Sequence, residues 1–199
     1  MKDFQIIRLI GNGSFGSIYK VKNLVDKKTY AVKKLQVSRH TRDDNKATLC
    51  EIHILYHSNC PFVLGFKTCF YDLNDVYIVT NYCRKKDLLY KINDLKKNNE
   101  YFKEEQIWNI FLQMCYGIHY LHANNVIHRD LKTANIFLDN TSEYIIQIGD
   151  FGVSKVLDNS DTTGTQIGTP LYLSPELISK HKYGKKTDIW ALGCILYEL

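Results

Sequence analysis

A short polar segment, HRDLKTAN at residues 128–135, combines residue types that suit phosphoryl transfer. That reaction needs a carboxylate to accept a hydroxyl proton, a cation near the γ-phosphoryl group and oxygen ligands for Mg²⁺. Asp130 can supply the carboxylate and Lys132 the cation. Asn135, together with Asp150 in the triplet Asp150-Phe151-Gly152, offers the oxygen ligands. Any one of these residues is common in a polar capping loop, but their joint order and spacing predict a phosphoryl-transfer site.

A glycine-rich hexapeptide, GNGSFG at residues 11–16, lies between two predicted strands. Glycine lets backbone N–H groups approach phosphate oxygens closely, because no Cβ intervenes. The pattern alone is often only a hairpin, and a dinucleotide-binding fold would need a helix directly after it. A strand follows instead, which favours a flap that covers phosphates.

Lys33 ends the tetrapeptide YAVK in the third predicted strand, from which its ammonium could contact the α and β phosphates. A lone strand lysine usually faces solvent, as we expect for Lys34 on the opposite face. Glu51, on the predicted helix that follows, is the candidate carboxylate to hold Lys33 in place. Considered alone, Glu51 would be an ordinary surface glutamate.

The elements that must position these residues change in type along the chain. Apolar and β-branched runs predict strands over 4–10, 17–24, 29–35, 62–71 and 75–82. One helix is predicted over 43–57, where Leu49, Ile52, Leu55 and Tyr56 recur at helical spacing. Further along, a strongly amphipathic helix over 103–121 is followed by short strands over 136–138 and 145–148 and by a helix from about Thr187.

Composition limits the class of protein. The chain has 199 residues, of which 45% are hydrophobic and 24% charged, as in ordinary globular proteins, so disorder, collagen and coiled coil are excluded. We expect no membrane segment and no secretory signal, since no apolar stretch approaches the ~20 residues of a span. The net charge of +5 comes from scattered basic doublets, and the six cysteines form no C-x-x-C pair. We therefore expect no nucleic-acid partner and a cytoplasmic or nuclear location.

On these motifs the chain resembles the eukaryotic protein kinases, from Phe4 to its last residue. The resemblance also includes Ser174-Pro175-Glu176, in place of Ala-Pro-Glu, and the hexapeptide DIWALG at 188–193. Lys132 is typical of serine/threonine rather than tyrosine kinases. Within that class the segments NIFL at 135–138 and IGTPLYLSPE at 167–176 are most similar to the NIMA-related kinase family.

The resemblance implies an α+β, two-lobed protein-kinase-like fold over 1–199. An N-terminal antiparallel β lobe with one helix, residues 1–82, would be joined by a hinge at 83–87 to a mostly helical C-terminal lobe at 88–199. Kinases of this family continue into further helices after the one that bears Asp188. We therefore expect this C-lobe to be incomplete, or truncated, at its C-terminal end.

The resemblance also implies ATP and Mg²⁺ as cofactors and assigns roles to residues. Adenine would lie between Ile10, Ile18 and Ala31 on one side and Phe137 on the other. Thr80 would be the gatekeeper, the Asn81 carbonyl and the Cys83 N–H the hinge contacts, and Asp87 a ribose ligand. The whole implied ATP site comprises Ile10, Gly11, Asn12, Gly13, Ser14, Phe15, Gly16, Ser17, Ile18, Ala31, Lys33, Thr80, Asn81, Cys83, Asp87 and Phe137.

The remaining implied roles concern catalysis and its control. The catalytic set is Asp130, Lys132, Lys33 and Glu51, with Asn135 and Asp150 as metal ligands. Asp188 would hold the backbone of the catalytic loop, and Leu55, Phe66, His128 and Phe151 match the apolar spine of active kinases. Thr165 would be the activating phosphorylation site, its phosphate bound by Arg129, although Thr162 or Thr163 could serve instead.

Four residues depart from the pattern of the family that the chain resembles. Asn81 replaces an acidic hinge residue and Lys85-Lys86 replace small residues, but neither change touches the phosphoryl chemistry, so we expect altered selectivity at the mouth of the cleft. Ala134 occupies a position at which arginine-directed kinases usually carry glutamate, which removes one acidic anchor for a basic substrate.

The expected function is that of a serine/threonine protein kinase, an ATP-dependent transferase that modifies protein hydroxyls. The alternative is a non-catalytic nucleotide-binding scaffold or an inactive fragment, if the incomplete C-lobe cannot support turnover. Protein substrates are the expected partners, and no oligomeric state is indicated.

Overall fold

The structure is a computed structural model that describes residues 1–13, 16–36, 42–138, 144–156, 169–179, 181 and 183–199. Three predicted site residues, Ser14, Phe15 and Thr165, lie outside these ranges. The chain divides into two compact units. The first comprises Met1–Asn59 with Leu64–Tyr82, and the second comprises Cys60–Val63 with Cys83–Leu199.

The first unit is built on a five-stranded antiparallel sheet of spatial order β1-β2-β3-β5-β4. Its strands are β1 (Phe4–Gly13), β2 (Gly16–Asn23), β3 (Thr29–Gln36), β4 (Phe66–Asp72) and β5 (Asp75–Asn81). The helix α1 (Arg42–His57) connects β3 to β4. The predicted β lobe with one helix is therefore present.

Alternating side chains give this sheet two different faces, since successive strand residues point to opposite sides. Val21, Tyr30, Val32, Tyr77 and Val79 form a buried cluster on one face. Stacked rings extend the cluster, with the Phe70 and Tyr77 centroids 5.1 Å apart. The opposite face carries the alternate residues of β3, which include the predicted site residues.

Helix α1 buries a narrower face than its apolar spacing predicts. Ile54 and Leu55 are buried, together with the carboxylate-bearing Glu51. Leu49 and Tyr56, predicted to belong to the apolar face, are 66% and 67% exposed. The expectation for these two residues is wrong because the buried face is centred on Glu51, which has an acidic side chain that hydropathy assigns to solvent.

The second unit is mostly helical. Its helices are α2 (Leu88–Lys97), α3 (Glu104–Ala123), α4 (Pro175–Ile178) and α5 (Lys186–Glu198). Its short strands are β6 (Val126–Ile127), β7 (Ile136–Leu138), β8 (Ile146–Ile148) and β9 (Lys155–Val156), and 3-10 turns occur at Thr133–Asn135 and Pro170–Tyr172. β6 pairs with β9 and β7 with β8, both antiparallel. Helix α3 supplies the core with Ile110, Met114, Ile118 and Leu121, all at most 1% exposed.

Two elements differ from the sequence expectation. The strand predicted over 62–71 begins only at Phe66, because Phe62 and Val63 pair with Ile148 of β8 in the second unit. The elements predicted from the sequence do not include helix α2, because the role implied for Asp87 is that of a ribose ligand and not of a helix cap. Its carboxylate accepts a hydrogen bond from the Tyr90 N–H at 2.8 Å, which begins the helix.

Among the helices that the structure describes, none has the length and apolar character needed to cross a bilayer.

Gly16 is predicted to be irreplaceable for steric reasons. Its φ is +134°, and a Cβ would lie 2.1 Å from the Lys34 carbonyl oxygen in β3. We expect Gly16→Ala to lower the melting temperature in thermal denaturation. Gly193→Ala is the matched control, since a Cβ there meets nothing within 4 Å and alanine favours a helix interior by about 1 kcal/mol. Equal melting temperatures for the two variants would contradict the steric argument.

Candidate active site

The first unit holds an ion pair between β3 and α1. Lys33 Nζ donates to both carboxylate oxygens of Glu51 at 2.8 Å, and the two side chains are 15% and 7% exposed. Such a pair is stable only when both charges are matched, and removal of one partner from a buried pair costs about 3–5 kcal/mol. Lys34, on the other face as predicted, pairs with Asp75 at 2.9 Å. The predicted partnership of Lys33 with Glu51 is therefore present.

The glycine-rich hexapeptide lies at the end of the β1–β2 hairpin. Gly11 is paired with Ile18 and Asn12 with Ser17, whose hydroxyl donates to the Asn12 side-chain oxygen at 2.9 Å. On the neighbouring strand Ile18 pairs with Lys33. This register brings the hairpin residues next to the lysine that the sequence assigns to the phosphates.

The predicted adenine contacts of the first unit lie on adjacent strands. Ala31 in β3 is paired with Thr80 in β5, and Thr80 is buried. Asn81 follows, its N–H donating to the Gly65 carbonyl at 2.9 Å. A Cβ at position 65 would lie 2.4 Å from Asn81 Nδ2, so a larger residue at position 65 would displace the exposed Asn81 side chain. Ile10, at the end of the set, is 40% exposed.

The second unit contains the other predicted nucleotide contacts. Asp87 forms an isolated bridge with Phe137 in β7, and the Lys86 carbonyl accepts the Leu138 N–H at 2.8 Å. The Cys83 thiol lies 3.6 Å from the Gln147 side-chain oxygen. The end of the predicted hinge is thus attached to the strand that follows the catalytic loop.

The Asp130 carboxylate is the centre of the catalytic loop. Lys132 Nζ donates to Oδ2 at 2.6 Å, and the Thr169 hydroxyl donates to Oδ1 at 2.8 Å. Lys132 Nζ also donates to the Thr169 hydroxyl oxygen at 2.9 Å, so each of these three side chains is hydrogen-bonded to the other two. The Asp130 and Lys132 side chains are 15% and 24% exposed, so the carboxylate is fixed but accessible to a substrate hydroxyl.

Asn135 and Asp150 have the chemistry of Mg²⁺ ligands. Asn135 Nδ2 donates to the Asp130 carbonyl at 2.8 Å and to its Oδ2 at 3.2 Å, which orients the amide oxygen away from Asp130. The Gly149 N–H donates to the Asn135 carbonyl at 3.0 Å, so Asp150 directly follows a residue bonded to Asn135. Hard oxygen donors from two connected segments fit the ion.

Asp188 of α5 holds the catalytic loop through its backbone, as the resemblance implies. It is 1% exposed and accepts the N–H groups of His128 and Arg129, both at 3.0 Å. Arg129 has a φ of +70°, a conformation that costs a non-glycine residue energy. His122 Nε2 lies 2.7 Å from the same carboxylate. The buried charge therefore offsets a strained backbone next to Asp130.

The Arg129 side chain is directed to the segment after Asp150. Its guanidinium donates to the Val153 carbonyl at 2.6 Å, to the Ser154 carbonyl at 3.3 Å and to the Tyr183 hydroxyl at 3.1 Å. Three of the five guanidinium N–H donors take part in these bonds.

Two of the four predicted spine residues lie in each unit. Leu55 is buried in the first unit, where Phe66 contacts the Tyr56 ring edge-on. In the second unit His128 and Phe151 are fully buried, with ring centroids 5.1 Å apart. His128 Nε2 donates to the Gly149 carbonyl at 3.0 Å, which ties this pair to the residue before Asp150.

Polar side chains near α4 also have hydrogen-bond partners. Burial raises the pKa of Glu176, but hydrogen bonds from its own N–H and from Ser174 and Thr187 outweigh it, so the pKa falls below its usual value. Burial also raises the pKa of Tyr172, whose hydroxyl donates to Glu198 at 2.7 Å. The Ser174-Pro175-Glu176 motif therefore carries an ionised glutamate at neutral pH.

These motifs and their geometry define a protein kinase, and the chain belongs to that family: the protein kinase domain matches residues 4–199. The family and the two-lobed fold class expected from the sequence are confirmed.

Three curated relatives are serine/threonine-protein kinases. Nek3 of Oryza sativa subsp. japonica and Nek1 of Mus musculus are each 38% identical over 200 residues, which is 100% of this chain. Nek5 of Homo sapiens is 36% identical over the same length. The chain spans 34%, 16% and 28% of the lengths of Nek3, Nek1 and Nek5 respectively.

Sequence reasoning missed three residues of this site. Thr169 bonds Asp130, His122 bonds Asp188, and Tyr183 bonds Arg129. Each partner lies more than 35 residues away along the chain, so no local spacing indicates the contact. Among the residues that the structure describes, no group of three or more His, Cys, Asp or Glu side chains could hold a metal ion.

The anchor at Asp188 is predicted to be required for stability. Asp188→Ala leaves two backbone N–H groups without their acceptor, which costs about 1–3 kcal/mol each. We expect a loss of several kcal/mol in the free energy of unfolding, measured by urea denaturation, and a smaller loss for Asp188→Asn, which keeps one acceptor. Asp94→Ala is the control, since Asp94 is 43% exposed and pairs with Lys91 at 3.5 Å. Equal losses for Asp188→Ala and Asp94→Ala would refute the anchor.

Proposed function

We propose that the chain is an ATP-dependent serine/threonine protein kinase that transfers the γ-phosphoryl group of Mg·ATP to protein hydroxyls. The observation that carries this proposal is the environment of Asp130. Its Oδ1 already accepts a hydrogen bond from a threonine hydroxyl, that of Thr169, at 2.8 Å. A carboxylate held in this way can receive the hydroxyl of a substrate in the same manner.

In the proposed reaction the substrate hydroxyl oxygen forms a bond to the γ-phosphorus, and the bond from that phosphorus to the β–γ bridging oxygen breaks. The hydroxyl proton passes to the Asp130 carboxylate, and ADP leaves. Lys132, 2.6 Å from Asp130, offsets negative charge on the transferred group. Lys33, oriented by Glu51, would hold the α and β phosphates.

Asn135 and Asp150 are the residues that would hold Mg²⁺. The ion neutralises phosphate oxygens and so supplies the charge compensation that phosphoryl transfer requires. Asn135 contributes through its oriented amide, and its bonds to Asp130 keep the metal ligand and the proton acceptor in one rigid group.

The non-catalytic alternative has no comparable support. The described catalytic residues are all of the types that transfer requires, and the relatives carry the name of serine/threonine-protein kinases. We further propose a NIMA-related type, protein substrates and a cytoplasmic location, with no membrane or nucleic-acid partner. The names of the relatives support the type and the protein substrates. The scattered basic doublets and the six cysteines without a C-x-x-C pair support the cytoplasmic location and the absence of a nucleic-acid partner.

Asp130→Asn is predicted to abolish phosphoryl transfer. The amide cannot accept the hydroxyl proton, and general-base catalysis contributes roughly 10²–10⁴-fold. We expect at least a hundredfold drop in kcat with a generic protein substrate, measured with radiolabelled ATP, while nucleotide binding by calorimetry persists. Asp94→Asn, the control in the same unit, should keep wild-type turnover. An Asp130→Asn rate within twofold of wild type would disprove the assignment.

Phosphorylation of Thr165 is predicted to raise activity. Position 165 lies outside the described residues, but Arg129 keeps two guanidinium N–H donors beyond the three bonds given above, and charge-assisted bonds to phosphate are strong. We expect Thr165→Ala to stay at the rate of the dephosphorylated enzyme after incubation with Mg·ATP.

Thr162→Ala and Thr163→Ala are the matched controls and should be activated normally. Mass spectrometry verifies which threonine carries phosphate. If Thr165→Ala reached wild-type turnover after autophosphorylation, the activating role would pass to another residue.

A further inference from the structure

Helix α3 carries an apolar stripe on the side that faces away from the core. Its three members, Trp108, Leu112 and Tyr116, are 49%, 52% and 64% exposed and follow one another at intervals of four residues. Single exposed apolar residues are normal on a protein surface, but a contiguous apolar patch marks an interaction site, and the solvent side of a helix is ordinarily polar. The stripe, which lies wholly in the second unit, therefore has the character of a docking surface.

Neighbouring side chains hold both rings of the stripe in place. Trp108 Nε1 donates to Glu104 Oε1 at 3.3 Å, and the indole meets the Phe111 ring edge-on, with the ring centroids 6.1 Å apart. The Tyr116 ring is stacked on that of Phe62, with centroids 6.2 Å apart. Side chains that are ordered before binding lose little conformational entropy when a partner covers them. The stripe thus presents ordered aromatic rings to a partner.

One acidic and one basic side chain flank the stripe at equal distances from its centre. Glu105 lies seven residues before Leu112 and His119 seven residues after it, and both are exposed. Trp108 and Tyr116 are likewise equidistant from Leu112, four residues to either side. With 3.6 residues per turn, all five positions lie within about 40° of one another's mean direction around the helix axis. Both charges therefore belong to the same face of α3 as the apolar residues.

This order of side chains is complementary to its own reverse. In a contact with two-fold symmetry, residue i of one copy meets residue j of the other, and j meets i. A two-fold axis through Leu112, perpendicular to α3, sets Trp108 against Tyr116 of the second copy and Glu105 against its His119. Histidine donates an N–H in either protonation state, so it suits a carboxylate. A parallel pairing would instead place Glu105 against a second glutamate.

We propose that this face of α3 binds a second copy of the chain, with the two helices packed antiparallel about Leu112. The proposal does not depend on the kinase activity proposed above. An aromatic side chain buries about 150–250 Å² in full, so two half-exposed rings from each copy supply roughly 400 Å². Stable interfaces bury about 1,200–2,000 Å² in total. The dimer is therefore weak and reversible, and it forms where the local concentration of the chain is high.

Sedimentation equilibrium of the full chain tests the centre of the interface. Wild type should show monomer–dimer association over about 5–500 µM, the range that suits a contact of this size. Leu112→Asp sets two carboxylates against each other at the axis and should raise the dissociation constant roughly tenfold or more. Leu49→Asp is the matched control, because it makes the same change at an exposed position of helix α1, and it should associate like wild type. Thermal denaturation verifies that both variants are folded.

An exchange of charges tests the antiparallel register. His119→Glu places like charges opposite each other at both ends of the contact and should raise the dissociation constant about fivefold. Glu105→Arg/His119→Glu restores opposite charges and should return the dissociation constant to the wild-type value or below it. A parallel pair would not be rescued, because the double variant would then set like charges against each other at both positions. Both residues are exposed, so the folded state tolerates the changes.

The two experiments decide the proposal without any assay of turnover. A wild-type chain that stays monomeric over the whole range overturns it, whatever other segment or protein covers the stripe. A dimer that Leu112→Asp leaves intact also overturns it, because the contact then lies on another surface. Failure of the double variant to associate more tightly than His119→Glu alone overturns the antiparallel register and with it the proposal. Weakening by Leu112→Asp together with rescue by the exchanged charges supports it.

Discussion

The hydrogen bonds to the buried carboxylate of Asp188 are the interaction on which the second unit depends. The Asp188 side chain is 1% exposed, and three hydrogen-bonding groups meet its two oxygens, which offsets the cost of burying them. Two of them are backbone N–H groups of the segment that carries Asp130. Helix α5 therefore determines where Asp130, the proposed proton acceptor, lies, although α5 itself contributes none of the proposed reacting groups.

The same logic appears in the first unit with a different pair of charges. Lys33 belongs to the sheet and Glu51 to a helix, and their bidentate contact fixes one element against the other. Interdigitated apolar side chains already resist sliding of a helix over a sheet. The contact between two buried charges adds to this resistance, because a displacement would weaken their attraction. In each unit, therefore, a buried charged or polar side chain fixes the position of an element that carries a proposed site residue.

Sequence reasoning performs well where a motif is contiguous. Spacing locates the segment at 128–135, the glycine-rich hexapeptide at 11–16 and Lys33 in its strand. The pairing of Lys33 with Glu51 follows from charge matching. It fails where hydropathy and geometry disagree, as for Leu49, which is apolar but exposed, and Glu51, which is charged but buried. It also fails for contacts that only folding creates, such as Thr169 with Asp130. Helix α2 is not evident from the sequence because its N-cap, Asp87, also matches the position of a ribose ligand in the family pattern.

The separation in sequence between Asp188 and the loop it holds has a consequence for the order of assembly. Neighbouring strands β1, β2 and β3 pair in chain order, so most of the first unit can form from local contacts. The catalytic loop lacks this advantage: its acceptor for His128 lies 60 residues later. During synthesis, which proceeds from the N-terminus, the strained backbone at Arg129 has no compensation until α5 leaves the ribosome. The first unit is thus expected to be complete before Asp130, the proposed proton acceptor, reaches its final position, so the proposed activity would arise late in the synthesis of the chain.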